Sequence, residues 1–213
     1  ENQLIKVFIS YFKRQIAKKE KKNKKFSFVL TGGSSPIRLY RSLAKTKINW
    51  KNIDLFWGDE RYVSKKSINS NYKLVYINLI KKIKINNNNI FDVNTNKASL
   101  LASAYDYHKR IKKYFNNKKV SFDLVLLGMG SDGHVASIFP KELKNNKGKI
   151  VYGVVKKDFE RITLSMKTIN NAKKIFLWLN TPSKLKSFKK LNERKDIPVN
   201  RLNKKKTIVF TRY

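Results

Sequence analysis

The chain has 213 residues, 41% hydrophobic and 12% aromatic, enough to bury one substantial core, and its length favours a single domain over two. It contains no Cys, which excludes disulfides and thiolate metal sites and favours the cytoplasm, and none of its apolar runs approaches the roughly 20 residues needed to cross a bilayer. The formal charge is +35, yet the lysines are spread with Asn along nearly the whole chain, even through turns such as KINNNNIF and ELKNNKGK, so the charge reads as solvated surface rather than as a polyanion-binding patch.

Position 1 is Glu rather than Met, so the native start is expected upstream. Leu4, Ile5, Phe8, Ile9, Phe12 and Ile16 recur at helical spacing and predict an amphipathic helix over 1–19, not a secretory signal. The run KKEKKNKK at 18–25 falls at its C-terminal end, where cations are favourable. Continuous apolar runs at 26–30, 53–57, 122–127, 150–155 and 175–179 predict strands covered on both faces, as in a mainly parallel sheet. TIVFTR at 207–212 reads as an edge strand. Helical patterns at 36–45, 70–82, 98–116 and 183–191 lie between them. His108 sits on the apolar face of the third of these and reads as a packed residue. The Asn-rich stretch 86–97 reads as a connecting loop, and no internal repeat is visible. The alternation predicts one open α/β domain over 1–213, a mainly parallel sheet with helices on both faces in Rossmann-like layers.

Three strand-ending loops carry candidate chemistry. Thr31-Gly32-Gly33-Ser34-Ser35-Pro36 follows the strand at 26–30. Paired glycines allow close backbone approach, Ser35 suits an N-cap and Pro36 a first helical turn, and a helix N-terminus attracts phosphate; taken alone, the loop is equally a capped turn without a ligand. Gly58-Asp59-Glu60-Arg61-Tyr62 follows the strand at 53–57. Its paired carboxylates suit acid, base or orienting roles and its guanidinium suits phosphate, against the plainer reading of a salt-bridged loop. The third loop, after FDLVLL, holds Gly128, Gly130, Asp132, Gly133 and His134. Its glycines satisfy the dinucleotide pattern GxGxxG, but no acidic residue closes a following strand at the expected distance, and Asp132 would crowd a pyrophosphate. His134, placed where a helix could begin at the loop's mouth, is poised for proton transfer near neutral pH. In a parallel sheet all three loops emerge at the carboxyl ends of strands, where open α/β sheets place ligands.

The segments TGGSSPIRLYRSLA, INWKNIDLFWGDERYVSKKSINSNYKLV and FDLVLLGMGSDGHVASIFP resemble, in order and spacing, the three signature segments of the 6-phosphogluconolactonases. A looser likeness runs through ERITLSMKTINNAKKIFLWL to the C-terminal strand. The related glucosamine-6-phosphate deaminases share the fold and a DGH loop, but their His is followed by a segment with Asn and Glu rather than Ser-Ile-Phe-Pro. The resemblance implies the deaminase/phosphogluconolactonase type of fold and hydrolysis of 6-phospho-D-glucono-1,5-lactone to 6-phosphogluconate, the second step of the oxidative pentose phosphate pathway, without cofactor or metal. It implies His134 as the general base, with Asp132 or a carboxylate from the pair Asp59 and Glu60 orienting the imidazole or the water. It further implies Gly32, Gly33, Ser34, Ser35 and Arg61 as the phosphate cradle, with Arg161 and Lys184 as additional basic partners. Amides of the loop containing Gly128, Gly130 and Gly133 are candidates for the oxyanion. Ser35 stands where the family commonly has Thr, and Asn-Thr-Pro-Ser precedes Lys184 in place of a Gly-containing turn. The competing readings are an amino-sugar-phosphate isomerase or deaminase, with Asp59 shuttling a proton, and a basic nucleic-acid-binding protein. The chain lacks a basic-aromatic recognition motif that would support the latter.

Overall fold

The structure is a computed structural model of the chain, and it describes residues 1–143, 148–192 and 196–211. In chain order the strands are β1 (Phe26–Leu30), β2 (Ile53–Trp57), β3 (Asp59–Arg61), β4 (Ile90–Phe91), β5 (Leu124–Leu127), β6 (Val151–Val154), β7 (Arg161–Leu164), β8 (Lys174–Leu179) and β9 (Thr207–Thr211). The helices are α1 (Asn2–Glu20), α2 (Ile37–Lys45), α3 (Asn71–Asn78), α4 (Leu100–Tyr114), α5 (Met166–Asn170) and α6 (Pro182–Asn192). Six strands form an open parallel sheet in the order β4-β2-β1-β5-β8-β9. β3, β7 and β6 form a second, antiparallel sheet. No helix among the described residues is long and apolar enough to cross a membrane.

The continuous apolar strands are buried from both sides because helices cover both faces. Phe28 pairs in register with Leu124, Leu126 with Phe176, and Trp178 with Phe210, so these residues share one face. Phe8 of α1 lies against that face, with ring centroids 6.2 Å from Phe28, 5.5 Å from Phe176 and 6.0 Å from Trp178. On the opposite face Phe56 and Phe91 stack at 4.6 Å, and Tyr114 of α4 meets Phe56 edge-on at 4.9 Å. Each fully buried phenylalanine among them, Phe8, Phe28, Phe56 and Phe176, stabilises the fold by about 1.5–3 kcal/mol over its exposed state. The first layer of the sequence reading is therefore observed, with β9 as the edge strand.

Several expectations are corrected. The run at 150–155 does not join the parallel sheet; Val151–Val154 is the edge of the antiparallel one, packed beneath α4. An apolar run encodes burial but not which strand it pairs with. The stretch 86–97 is not wholly loop, since Asn87–Asn89 is a 3-10 turn and β4 extends the sheet beside β2. The 70–82 pattern splits into α3 and a 3-10 turn at Ile80–Lys82. His108 is half-buried on the flank of α4, stacked beside Tyr105 at 6.4 Å, and not part of the core. Arg212, the last residue of the expected edge strand, lies outside the described residues.

Two buried tyrosines set where the strands release their chains. The Tyr40 hydroxyl donates to the Thr31 carbonyl at 2.6 Å and accepts from the Thr31 amide at 3.0 Å, just past β1. The Tyr107 hydroxyl does the same for Trp57 at the end of β2, at 2.9 and 2.8 Å. Burial pushes both phenols well above their ordinary range, so they remain neutral and able to donate. Backbone groups leaving the ladder are thereby satisfied without water, and the loops that follow start from fixed points.

Candidate active site

The loops after β1, β2 and β5 meet at the carboxyl edge of the parallel sheet around a cleft of about 250 Å³. Gly32, Gly33, Ser34 and Ser35 form one wall. Gly33 has φ +81°, a conformation that favours glycine. The helix that follows begins one residue later than expected: Pro36 occupies the cap position of α2 and no side chain caps it, so Ser35 is not an N-cap. Instead the Ser35 carbonyl accepts from Asn180 Nδ2 at 3.1 Å, and Ser35 faces the cleft.

The second wall comes from the antiparallel sheet. The chain leaves β2 through Gly58, whose amide donates to Leu30 at 2.9 Å and whose carbonyl accepts from Leu164 at 2.9 Å. It then pairs as β3 with β7, matching Asp59 with Thr163, Glu60 with Ile162 and Arg61 with Arg161. Strand alternation separates the two neighbouring carboxylates. Asp59 and Arg61 line the cleft, whereas Glu60 turns away. Glu60 accepts from the amides of Asn71 and Tyr72, each at 2.7 Å, and from Ser70 Oγ at 3.2 Å, which ties it to the start of α3. Burial pushes its carboxyl up to about 7, against the pull of these amides. Glu60 is thus structural and does not orient the imidazole. Asp59 is raised too, chiefly by burial, while the Ser137 hydroxyl and the charges of Arg61, His134 and Arg161 oppose the rise.

The third wall carries His134. Its Nδ1 lies 2.6 Å from Asp132 Oδ1, and its backbone amide donates to the same oxygen at 3.2 Å. An ionised carboxylate only accepts, so Nδ1 carries a proton, and in the neutral form of the ring Nε2 is the nitrogen with the lone pair. The ring also packs against Phe139, at 4.6 Å between centroids, and against Gly130, where an added Cβ would lie 2.1 Å from the imidazole. Glycine at 130 is required by the ring. No helix starts at His134; the segment is a turn closed by a bridge between Val135 and Ile138, with Ala136 at φ +49°.

The amides expected to serve an oxyanion are partly engaged. That of Gly130 donates to the His134 carbonyl at 2.9 Å and that of Gly133 to the Gly130 carbonyl at 3.1 Å, so both build the loop; Gly128 and Gly130 line the cleft. Lys184, in the first turn of α6, reaches the cleft and donates to the Met129 carbonyl. Arg161 does not line it. Its guanidinium is held by Asp158 at 2.6 and 2.9 Å and lies over Phe139 at 5.5 Å, one ring removed from His134. Two residues that sequence reasoning missed complete the site. Ser137 donates to Asp59 Oδ2 at 2.6 Å, joining the second and third loops. Asn71 contacts Arg61, Asp59 and the Gly32 loop.

The sequence matches the family described as glucosamine-6-phosphate isomerases/6-phosphogluconolactonase over residues 1–210. It is 33% identical over 162 residues to a 6-phosphogluconolactonase of Synechocystis sp., covering 74% of this chain and 68% of that one. It is 31% identical over 194 residues to that of Thermotoga maritima, covering 90% and 86%. The crystal structure of the Thermotoga maritima enzyme superposes with a TM-score of 0.81 at 28% identity, over 95% of this chain and 94% of that one.

Proposed function

We propose that this chain, which belongs to the glucosamine-6-phosphate isomerase/6-phosphogluconolactonase family, hydrolyses 6-phospho-D-glucono-1,5-lactone to 6-phosphogluconate, the second step of the oxidative pentose phosphate pathway. Residues 1–213 act as one catalytic unit, and the reaction belongs in the cytoplasm, in keeping with a sequence without Cys. The observation that carries the reading is the Asp132–His134 pair at 2.6 Å, which opens on the same cleft as Arg61, Lys184 and the loop at 32–35.

In this reading Arg61, Lys184 and the loop of Gly32, Gly33, Ser34 and Ser35 hold the 6-phosphate, which places the lactone carbonyl toward His134. Nε2 takes a proton from water as the water oxygen attacks that carbonyl. The bond to the ring oxygen then breaks, and the imidazolium returns its proton to the departing alkoxide. The new carboxylic acid ionises, so one proton is released per turnover. A lactone is an activated ester, and a positioned water with one base suffices for it. Asp132 keeps the imidazole in the productive tautomer.

A proton-release assay on freshly generated lactone tests this, because spontaneous opening gives a baseline. The expected result is acceleration well above that baseline. Ammonia release from glucosamine 6-phosphate without faster lactone opening would replace the lactonase reading by the deaminase one, and tight, steeply salt-dependent binding to duplex DNA by a protein inactive on both substrates would favour the nucleic-acid reading. Arg61→Ala is expected to raise KM by roughly 10–100-fold with little change in kcat, since a hydrogen bond to a charged group contributes about 1.5–3 kcal/mol. An unchanged KM assigns the phosphate to other residues.

A further inference from the structure

We propose that Asn71 is a positioning residue that keeps the Arg61 guanidinium aimed at the substrate phosphate by holding it apart from the Asp59 carboxylate. The inference rests on the lactonase reading above and adds to it a residue that makes no chemical step itself.

Asp59 and Arg61 sit two residues apart on β3, on the same strand face, and both border the cleft. A carboxylate and a guanidinium so placed are drawn to pair with each other, and an arginine so paired presents fewer donors to an anion. The Asn71 side chain lies between them. Its Oδ1 accepts from Arg61 Nη1 at 3.0 Å, and its Nδ2 donates to the Asp59 carbonyl at 2.9 Å and to Asp59 Oδ1 at 3.4 Å. Arginine only donates, and the Asp59 carbonyl only accepts, so a single orientation of the amide satisfies both sides. Nη1 spends its second hydrogen on the Asn69 carbonyl at 2.9 Å. That fixes one corner of the guanidinium and leaves Nη2 and Nε, which no hydrogen bond engages among the described residues, to donate to phosphate oxygens.

The amide is itself held. Asn71 is 2% exposed, and its backbone N–H donates to Glu60 Oε1 at 2.7 Å. On the cleft side, the Gly32 backbone rests against it so closely that a Cβ at 32 would lie 1.9 Å from Oδ1. Asn71 therefore links the cation, the carboxylate and the phosphate-facing loop through one rigid group, and Gly32 is glycine partly to admit it.

The test compares KM and kcat for wild type, Asn71→Ala, Arg61→Ala and the double variant, with melting temperature as a check on folding. Asn71→Ala is expected to raise KM about tenfold while kcat stays within about threefold, and to add nothing further in the Arg61→Ala background. Should Asn71→Ala fail to fold, Asn71→Asp, equal in shape, carries the same test: its carboxylate pairs with the guanidinium and raises KM at least as much. A KM unchanged in a folded Asn71 variant, with KM raised in Arg61→Ala, overturns the proposal alone. So does an Asn71 effect that persists in full without Arg61, which would mark a general structural role. An unchanged KM in Arg61→Ala overturns the phosphate-binding reading and this proposal with it.

Discussion

His134→Ala is expected to lower kcat for lactone opening by about 10²–10⁴-fold, the usual contribution of a positioned general base, with melting temperature and KM close to wild type. The imidazole is tethered by Asp132 at Nδ1 and packs against the Phe139 ring at 4.6 Å and against Gly130, and its side chain is 33% exposed, so truncation removes little packing. The loss should fall on the chemical step, since the groups proposed to hold the phosphate lie on other elements. The Asp132 carboxylate supports the same assignment. Burial raises the Asp132 carboxyl, but the His134 amide, its charge and its ring N–H outweigh that and hold it below the usual carboxylate range. Asp132 thus stays ionised through the working range and keeps accepting from the Nδ1 side of the ring. Stopped-flow proton release, corrected for spontaneous opening, measures the loss; near-normal turnover would remove His134 from the role assigned to it.

The layers of the fold were legible because β1, β2, β5 and β8 are apolar on every residue, or nearly so, and strands of that kind alternating with helices need cover on both faces. The antiparallel sheet was not. β3 reads Asp-Glu-Arg, with no apolar signal, and exists because β7 pairs with it and because the amides at the start of α3 receive Glu60. Its alternation is what divides Asp59 from Glu60, which sequence reasoning kept as one pair. The loops at 31–36 and 128–134 were readable from glycines at strand ends. Asn71 and Ser137 were not: Ser137 reaches Asp59 from 78 residues away, Asn71 reaches Arg61 and Asp59 from 10 and 12 residues away in a different element, and neither carries a spacing rule. The sign of Asn71 lies in Gly32, a residue singled out for ligand approach that proves also to admit a side chain of the protein.

Asp123 is expected to supply a substantial share of stability away from the cleft. It sits just before β5, 6% exposed, where Oδ2 accepts from both the amide and the hydroxyl of Ser27 at 3.0 Å, while the Asp123 amide donates back to Ser27 Oγ at 2.9 Å. Oδ1 receives Lys173 and Lys19, each at 2.7 Å. One carboxylate therefore fastens β1 to β5 and draws in the end of α1. The two cations gain unequally: burial lowers the Lys19 ammonium in spite of the pairing, whereas at Lys173, 58% exposed, burial also pulls down but the pairing with Asp123 outweighs it and the ammonium is raised. Asp123→Ala would leave two ammonium groups facing each other and the Ser27 amide without its acceptor. Breaking a buried pair costs about 3–5 kcal/mol, and with Lys173 reaching water the low end, about 3 kcal/mol, is expected. For a chain of this size that is a fall in melting temperature of roughly 6–12 °C. Burial pushes the Asp123 carboxyl up, but Lys173, Lys19 and the Ser27 amide more than offset it, so its pKa in the fold lies below the ordinary value. The stabilisation is therefore present above the unfolded carboxyl's value of about 4 and is lost as pH falls through the lower folded value. Wild type and Asp123→Ala should accordingly differ most near neutral pH and converge in acid, below about pH 4. Urea melts at several pH values measure this, and a gap that stayed constant down to pH 3 would show that the carboxylate's charge is not what holds β1 to β5.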